Sequence, residues 1–253
     1  MNTPGTRQST EPPIALIPEP AHIRNGVGRF HLTRRTDVGG NSPGAVALLR
    51  VWLEDATGWT LPLARHGETA AIALRVSPEA PAGEGYRLEI RHDSVVVESA
   101  TERGLGWGVQ TLRQLFPPAI YSKVPVSGTG WTLPVVTIED APRLSWRGLM
   151  VDVARWYKPM EYLYRAVDLA ALHKLNVVHL HLTDDQGWRF EVRRYPRLTE
   201  VGAWRRESRT GHWRTGIGDG HPHGGYYTQD ELRTPARYAA ERGVTPLPEI
   251  DLP

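Results

Sequence analysis

Short apolar runs alternate with amphipathic helices in the second half of the chain, and this alternation restricts the fold more than any other feature. Residues 148–154 are a nearly continuous apolar run, as in a strand buried on both faces, and residues 177–182 predict a second buried strand. Apolar side chains at helical spacing over 160–174 and a capping box that opens 228–243 predict two helices. Residues 244–251 predict a third strand. This order predicts a parallel sheet with right-handed crossovers.

The first half of the chain predicts a smaller α/β unit. Residues 107–115 place Trp107, Leu112 and Leu115 on one helical face, and the two prolines that follow end this helix. Short strands are predicted over residues 45–53, 71–76, 86–91 and 94–99. We therefore expect an α/β protein with three parts: a disordered tail at residues 1–13, a small N-terminal α+β domain at residues 14–139, and a parallel α/β domain at residues 140–253.

Composition excludes several classes of protein. Hydrophobic residues make up 40% of the chain, which is enough to bury a core and excludes global disorder. Cysteine is absent, so disulfides, thiolate metal sites and cysteine nucleophiles are excluded. The formal net charge is only +2, and the cations form no basic patch, so no nucleic-acid partner is expected.

No membrane partner is expected either, because no apolar run reaches the roughly 18 residues that a membrane span needs. No apolar stretch follows Met1, so the sequence predicts no signal peptide and a cytoplasmic location. Composition does not indicate an oligomeric state.

Polar side chains cluster where the three predicted parallel strands end. Arg155 follows the first strand, Asp184 and Asp185 follow the second, and Glu249 and Asp251 lie at the end of the third. Because the carboxyl ends of parallel strands carry the site in α/β architectures, we expect these groups to converge there. An arginine beside a carboxylate pair can hold the vicinal oxygens of a sugar, although a simple Arg–Asp clasp between strands or a solvated turn would use the same residues.

Histidines offer a different interpretation. His179 and His181 are two residues apart on a strand and share one face, so with Asp184 they could bind a metal, as in metal-dependent barrel hydrolases. The alternative is that both fill the barrel interior. Three further histidines lie in a glycine-rich insertion and are expected to be solvated: His212, His221 and His223.

Several segments, in a fixed order, resemble glycoside hydrolase family 20. RGLMVDVAR at residues 147–155 resembles the family's opening barrel strand, and HLHLTDDQGWR at residues 179–189 resembles its second strand. Further matching segments are residues 173–176, 195–198, 225–228 and 248–251, together with residues 16–20 and 108–115 in the first domain. The resemblance covers roughly residues 14 to 253.

The resemblance implies a β-N-acetylhexosaminidase that removes terminal, non-reducing N-acetylglucosamine or N-acetylgalactosamine. In that family the substrate's own acetamide oxygen attacks the anomeric carbon, so no metal or organic cofactor is implied. Arg155 matches the arginine that binds the sugar hydroxyls. Asp184 matches the carboxylate that supports the general acid through a histidine. Asp251, together with Asp185 and Glu249, is expected to support the site, and N-acetylhexosaminide glycans are the implied partners.

The sequence also departs from the family pattern. The catalytic Asp–Glu pair of the family lies on the fourth barrel strand, beyond Pro253, and residues 140–253 are fewer than half of the roughly 250 that an eight-stranded barrel takes. We therefore expect an incomplete TIM barrel, a truncated chain and no catalytic residue within it. Such a chain would be inactive alone, or a non-catalytic sugar-binding remnant. Pro235 falls inside a helix, Pro246 inside a strand, and Trp156 where the family often has histidine.

Overall fold

A computed structural model describes residues 14–65, 69–212, 214 and 216–251. The predicted tail at residues 1–13 lies outside them. The described chain forms two mixed α/β regions, an N-terminal region with a six-stranded sheet and a second region with a three-stranded parallel sheet. No helix within these residues has the length and apolar character needed to cross a membrane.

The N-terminal region is a mixed sheet with two helices. Its elements are β1 (His22–His31), β2 (Val38–Gly40), α1 (Pro43–Thr57), β3 (Ile72–Val76), β4 (Tyr86–Ile90), β5 (Val95–Ser99), α2 (Glu102–Leu115), a 3₁₀ turn (Pro118–Tyr121) and β6 (Thr132–Asp140). The strand order is β1-β6-β4-β5-β3-β2. Pairs from β1 to β5 are antiparallel, whereas β5, β3 and β2 run parallel. Both helices contribute buried side chains to one hydrophobic core with the sheet.

The strand predicted over residues 45–53 is wrong, because these residues lie within α1. The Ser42 side chain caps the helix by accepting from the Ala45 amide, and Pro43 occupies the first turn, where its missing N–H costs nothing. Gly58 ends the helix in the left-handed conformation, with φ 69°. Buried residues recur at helical spacing along α1 and face the core: Val46, Leu49, Trp52, Leu53 and Ala56.

Helix α2 lies unusually close to the sheet. A Cβ placed on Gly108 would collide with the Val97 side chain, and one placed on Gly104 would collide with the Ser99 hydroxyl. Trp107, Leu112 and Leu115 are all buried, as their predicted shared face requires. Glycine at these two positions therefore lets the helix backbone approach the strands.

The second region contains the predicted βαβαβ unit, formed by its three main strands and two longer helices. Its elements are β7 (Gly148–Asp152), α3 (Met160–Leu172), β8 (Val177–His181), β9 (Thr183–Asp184), β10 (Gly187–Trp188), α4 (Arg197–Glu200), β11 (Trp204–Arg205), β12 (His223–Gly224), α5 (Gln229–Ala240) and β13 (Thr245–Glu249). Strands β7, β8 and β13 form a parallel sheet in the order β13-β8-β7. This is a partial barrel, and the capping box at Thr228 and Glu231 is present as predicted.

One expectation about this sheet is refined by the structure, and a second is explained by it. The first strand is not buried on both faces, because Leu149 and Met150 are 37% and 54% exposed on a strand at the edge of a three-stranded sheet. Pro246 lies within β13, as predicted. The Thr245 amide donates to the Asn176 carbonyl, and amides alternate sides along a strand, so the nitrogen of Pro246 faces away from β8.

A buried polar network joins the two regions. Lys174, 6% exposed, adopts a positive φ of 57° and donates from Nζ to Asp140 Oδ2 at 2.8 Å and to the Tyr86 hydroxyl at 2.8 Å. Burial lowers the pKa of Lys174, although Asp140 opposes that change. Arg147 forms an ion pair with Glu84 across the same boundary. The opening of β7 is therefore fixed against the N-terminal sheet.

Candidate functional site

Charged side chains converge at the carboxyl end of the parallel sheet. Arg155, just after β7, places Nη2 2.5 Å from Asp184 Oδ2 and Nη1 2.9 Å from Asp152 Oδ2. Asp152 also accepts from the Arg155 amide at 3.0 Å. The hydrogen bond to Asp152 is the main cause of a raised Arg155 pKa. The structure thus brings Arg155 and Asp184 together at the edge where the sequence predicted them.

His181 lies at the centre of a carboxylate–histidine chain. Its Nε2 is 2.8 Å from Asp184 Oδ2, and its Nδ1 is 2.8 Å from Glu249 Oε2, which also lies 2.6 Å from His179 Nε2. Burial disfavours the imidazolium, but hydrogen bonds to Asp184 and Glu249 outweigh burial and raise the pKa of His181. The hydrogen bond from His181 in turn lowers the pKa of both carboxyl groups. Sequence analysis placed Glu249 near the site but did not pair it with these histidines.

The remaining predicted residues differ in their placement. Thr183 fixes Asp251 through the backbone, since its hydroxyl accepts from the Asp251 amide at 2.7 Å and lies 3.0 Å from the Asp251 carbonyl. A carboxylate oxygen of Asp251, a carboxylate oxygen of Asp184 and a ring nitrogen of His181 all lie within 4.8 Å of one another. Asp185 is exposed and contacts Asp184 through its backbone amide at 2.7 Å. Its carboxylate makes no hydrogen bond or ion pair within the described part of the chain.

The donor atoms do not favour the metal interpretation in its predicted form. His179 and His181 share one face, but both are hydrogen-bonded to Glu249. Among the described residues, the three groups that lie close enough to share a cation are those of His181, Asp184 and Asp251. The Arg155 guanidinium already contacts the Asp184 carboxylate there, and its positive charge opposes a second cation at the same oxygen.

A fully buried arginine holds the loops around the site, and sequence analysis missed it. Arg189 is 0% exposed and donates to four backbone carbonyls, at distances of 2.5 to 3.1 Å: those of Val153, Ala154, Ala203 and Gly225. Burial lowers its pKa to about 10. Arg189 therefore links the end of β7 to the residues directly before β11 and directly after β12. A buried carbonyl left without a donor at any of these positions would be costly in free energy.

The hairpin β11–β12 continues this support along the segment that carries Arg155. Arg205 donates from Nη2 to the Arg155 carbonyl at 2.8 Å and from Nη1 to the Gln186 carbonyl at 3.1 Å. The Ser208 hydroxyl lies 3.0 Å from Arg205 Nε and orients the same guanidinium. The polypeptide that follows β7 is thereby linked to the loop after β8.

His223 and Tyr227 hold the next three residues. The His223 ring stacks on Trp156 with centroids 4.0 Å apart, and its Nε2 accepts from the Tyr157 amide at 3.0 Å. The Tyr227 hydroxyl donates to the Lys158 carbonyl at 2.5 Å. Burial, followed by the nearby Arg205 and Arg189 charges, lowers the pKa of His223. The expectation that His223 is a solvated loop residue is therefore wrong, whereas His221 is exposed as predicted.

Comparison with known proteins gives a consistent result over both regions. The family model "Glycosyl hydrolase family 20, catalytic domain" matches residues 144–253, and the model for domain 2 of the same family matches residues 13–141. A β-hexosaminidase of Vibrio furnissii is 35% identical over 95% of this chain and 38% of its own length. A β-N-acetylhexosaminidase of Cellulomonas fimi is 35% identical over 96% of this chain and 47% of its own.

Solved structures show the same likeness. The Streptomyces plicatus N-acetyl-β-hexosaminidase in complex with Thio-NAglucal superposes with a TM-score of 0.82 at 37% identity, covering 94% of this chain and 46% of that one. A mutant of the same enzyme was solved in complex with the product GlcNAc. The chain thus spans less than half the length of these relatives. The matches along residues 13–253 and the shared fold show that this chain belongs to glycosyl hydrolase family 20.

Proposed function

We propose that this chain supplies the sugar-hydroxyl clamp of a β-N-acetylhexosaminidase that acts on terminal, non-reducing N-acetylglucosamine or N-acetylgalactosamine. The observation that carries the proposal is the state of Arg155. Two carboxylates hold its guanidinium, yet its side chain is 52% exposed at the carboxyl edge of the sheet. A fixed and accessible planar donor group is suited to the vicinal hydroxyls of a pyranose ring.

The residues around Arg155 have separable roles in this proposal. Asp152 and Asp184 orient the guanidinium, and the lowered pKa of each carboxyl group keeps both ionised at neutral pH. Burial opposes ionisation of Asp152, but its bonds to Arg155 prevail. Asp184 also holds His181, whose second nitrogen contacts Glu249. This chain of alternating charges would stabilise a general acid placed beyond it. The family's acetamide-assisted reaction needs such an acid to protonate the leaving oxygen.

The clamp can be tested by the affinity of the 253-residue polypeptide for N-acetylglucosamine, measured by ligand-detected NMR titration. We expect Arg155→Ala to weaken binding about tenfold or more, because hydrogen bonds from a charged donor are lost. Arg87→Ala is the matched control: Arg87 is 46% exposed and also pairs with two carboxylates, but on the N-terminal sheet. Equal affinity of the wild-type and Arg155→Ala chains would overturn the proposal.

Turnover is a separate question. The family resemblance assigns the general acid and the acetamide-orienting aspartate to a strand that residues 1–253 do not include. A clamp that binds ground state and transition state alike does not raise the chemical rate. We therefore expect this polypeptide to bind the sugar without cleaving a chromogenic N-acetylglucosaminide. Hydrolysis that is abolished by Asp184→Asn would show that residues of this chain replace the family's catalytic pair.

A further inference from the structure

An exposed indole follows the proposed clamp residue directly in the chain. Trp156 follows Arg155 in the chain and is 46% exposed. Among the residues that the structure describes, its indole N–H has no hydrogen-bond partner. Leaving this much aromatic surface in water costs free energy, and rigid tryptophans at a surface are typical of binding sites.

The hairpin β11–β12 fixes the orientation of this ring. His223 stacks on the indole at 4.0 Å, with an interplanar angle of 28°, and the Arg205 guanidinium lies 5.7 Å from the ring centroid. Arg205 and His223 are paired across the two strands, so both project from the same face of the hairpin. His223 therefore covers one face of the indole, while 46% of Trp156 stays exposed and available to a ligand.

Three further contacts prevent the ring from moving with a loose loop. The Arg155 carbonyl accepts from Arg205, and the Tyr157 amide donates to His223. The Lys158 carbonyl accepts from Tyr227. Because the backbone on both sides of Trp156 is bound, the ring is preorganised, and binding a ligand to it costs little conformational entropy.

The chemistry of the exposed surface fits a sugar ring. One face of a pyranose presents C–H groups that pack on an aromatic face, and the free indole N–H can donate to a hydroxyl. Arg205 links the two residues, because it donates to the Arg155 carbonyl at 2.8 Å and its guanidinium lies 5.7 Å from the Trp156 ring centroid. We infer that Trp156 is a stacking surface for a second sugar ring, adjacent to the ring whose hydroxyls Arg155 binds. This inference rests on the proposed function.

A second exposed tryptophan provides the matched control. Trp204 is 58% exposed and lies in the same hairpin, but it pairs with Gly224 and therefore projects from the opposite face. Unlike Trp156, Trp204 does not directly follow the clamp residue Arg155 in the chain. Substitution at Trp204 tests the general effect of removing an exposed indole from this hairpin.

The experiment compares N-acetylglucosamine with its β-1,4-linked disaccharide on the 253-residue polypeptide. The indole N–H signals of Trp156 and Trp204 are assigned in ¹H–¹⁵N NMR spectra from the Trp156→Phe and Trp204→Phe variants. We expect the Trp156 signal to shift on addition of disaccharide and the Trp204 signal to stay. Trp156→Ala should weaken disaccharide binding about fivefold, as expected for one lost aromatic contact, and leave monosaccharide binding unchanged.

Each outcome has one interpretation. Disaccharide affinity that is unchanged in Trp156→Ala, or an unshifted Trp156 signal at saturation, overturns the inference and leaves the clamp intact. Equal weakening in Trp204→Ala also overturns it, because the effect would then belong to the hairpin. Binding of neither sugar overturns the inference together with the proposed function. Retention of most of the affinity in Trp156→Phe supports stacking and argues against misfolding of Trp156→Ala.

Discussion

The two regions of this protein use charged residues in opposite ways. On the N-terminal sheet, Arg87 pairs with Glu139 at 2.8 Å and with Glu98 at 3.5 Å, and both partners are its direct neighbours across the strands. In the second region, Arg155 and Asp184 come from different strand ends and meet beyond the sheet. The first arrangement spreads charges over an exposed face, whereas the second concentrates them at one edge.

The difference follows from strand direction. Antiparallel register places cross-strand partners along the whole length of the strands, where exposed ion pairs contribute little free energy. Parallel strands all end at the same edge, so residues that follow β7, β8 and β13 are brought together whatever their separation in sequence. A site can be assembled there from single residues, provided that the loops are held rigid.

The largest expected effect tests whether the loops around the site must be held rigid. Arg189→Met should lower the free energy of unfolding by about 3 kcal/mol or more, because four carbonyls lose a buried charged donor. Hydrogen exchange should show the loss of protection in the second region and not in the N-terminal sheet. The matched substitution Arg87→Met should change stability by less than about 1 kcal/mol, since its pairs are exposed. Equal effects would remove the contrast between the regions.

A smaller effect is expected from the packing of α2. Gly108→Ala should destabilise the protein by about 1–3 kcal/mol, because its Cβ would enter the space of Val97. Gly106 lies two residues earlier, on the opposite face of α2, where an added Cβ meets no atom within 4 Å. Gly106→Ala should therefore stabilise the protein by about 0.5–1 kcal/mol through helix propensity. Urea denaturation measures both. Destabilisation by Gly106→Ala would show that the packing described for α2 is incorrect.

The smallest effect concerns pH. The raised pKa of His181 means that its contribution to stability is present below its ordinary value of 6.5 and is lost as pH rises through the folded-state pKa. The lowered pKa of Glu249 means that its contribution is present above 4.5 and is lost as pH falls through the folded-state value. The stability difference between wild type and His181→Gln should therefore be largest between pH 4.5 and 6.5. A difference independent of pH would contradict the charged chain.

Much of the second region could be predicted because its helices and strands alternate clearly in the sequence: β7 and β8 are apolar runs, although only β8 is largely buried in the structure. The same alternation located Arg155, Asp184 and Glu249, since each follows or ends one of its strands. The N-terminal region was harder. Strand β1 lies at a sheet edge and is mostly exposed, so its sequence carries no alternation. The apolar run within α1 has the pattern of a strand, although the Ser42 cap and Pro43 begin a helix there.

The supporting residues could not be predicted for a different reason. Arg189 and Arg205 bond to backbone carbonyls of loops, and carbonyls are present at every residue whatever the side chain. His223 meets Trp156 only because the β11–β12 hairpin folds back over the strand end. No spacing along the chain encodes either contact. The glycine-rich sequence around His223 predicts a solvated loop, whereas in the structure His223 packs on Trp156 and binds the Tyr157 amide.

The most direct test of the contrast between the regions is a backbone amide map of the polypeptide titrated with N-acetylglucosamine. The account predicts that ¹H–¹⁵N signals shift at the strand ends that carry Arg155, Asp184 and Glu249, and that residues of the six-stranded N-terminal sheet do not respond. Shifts centred on the exposed face around Arg87, with the Arg155 region unchanged, would contradict it.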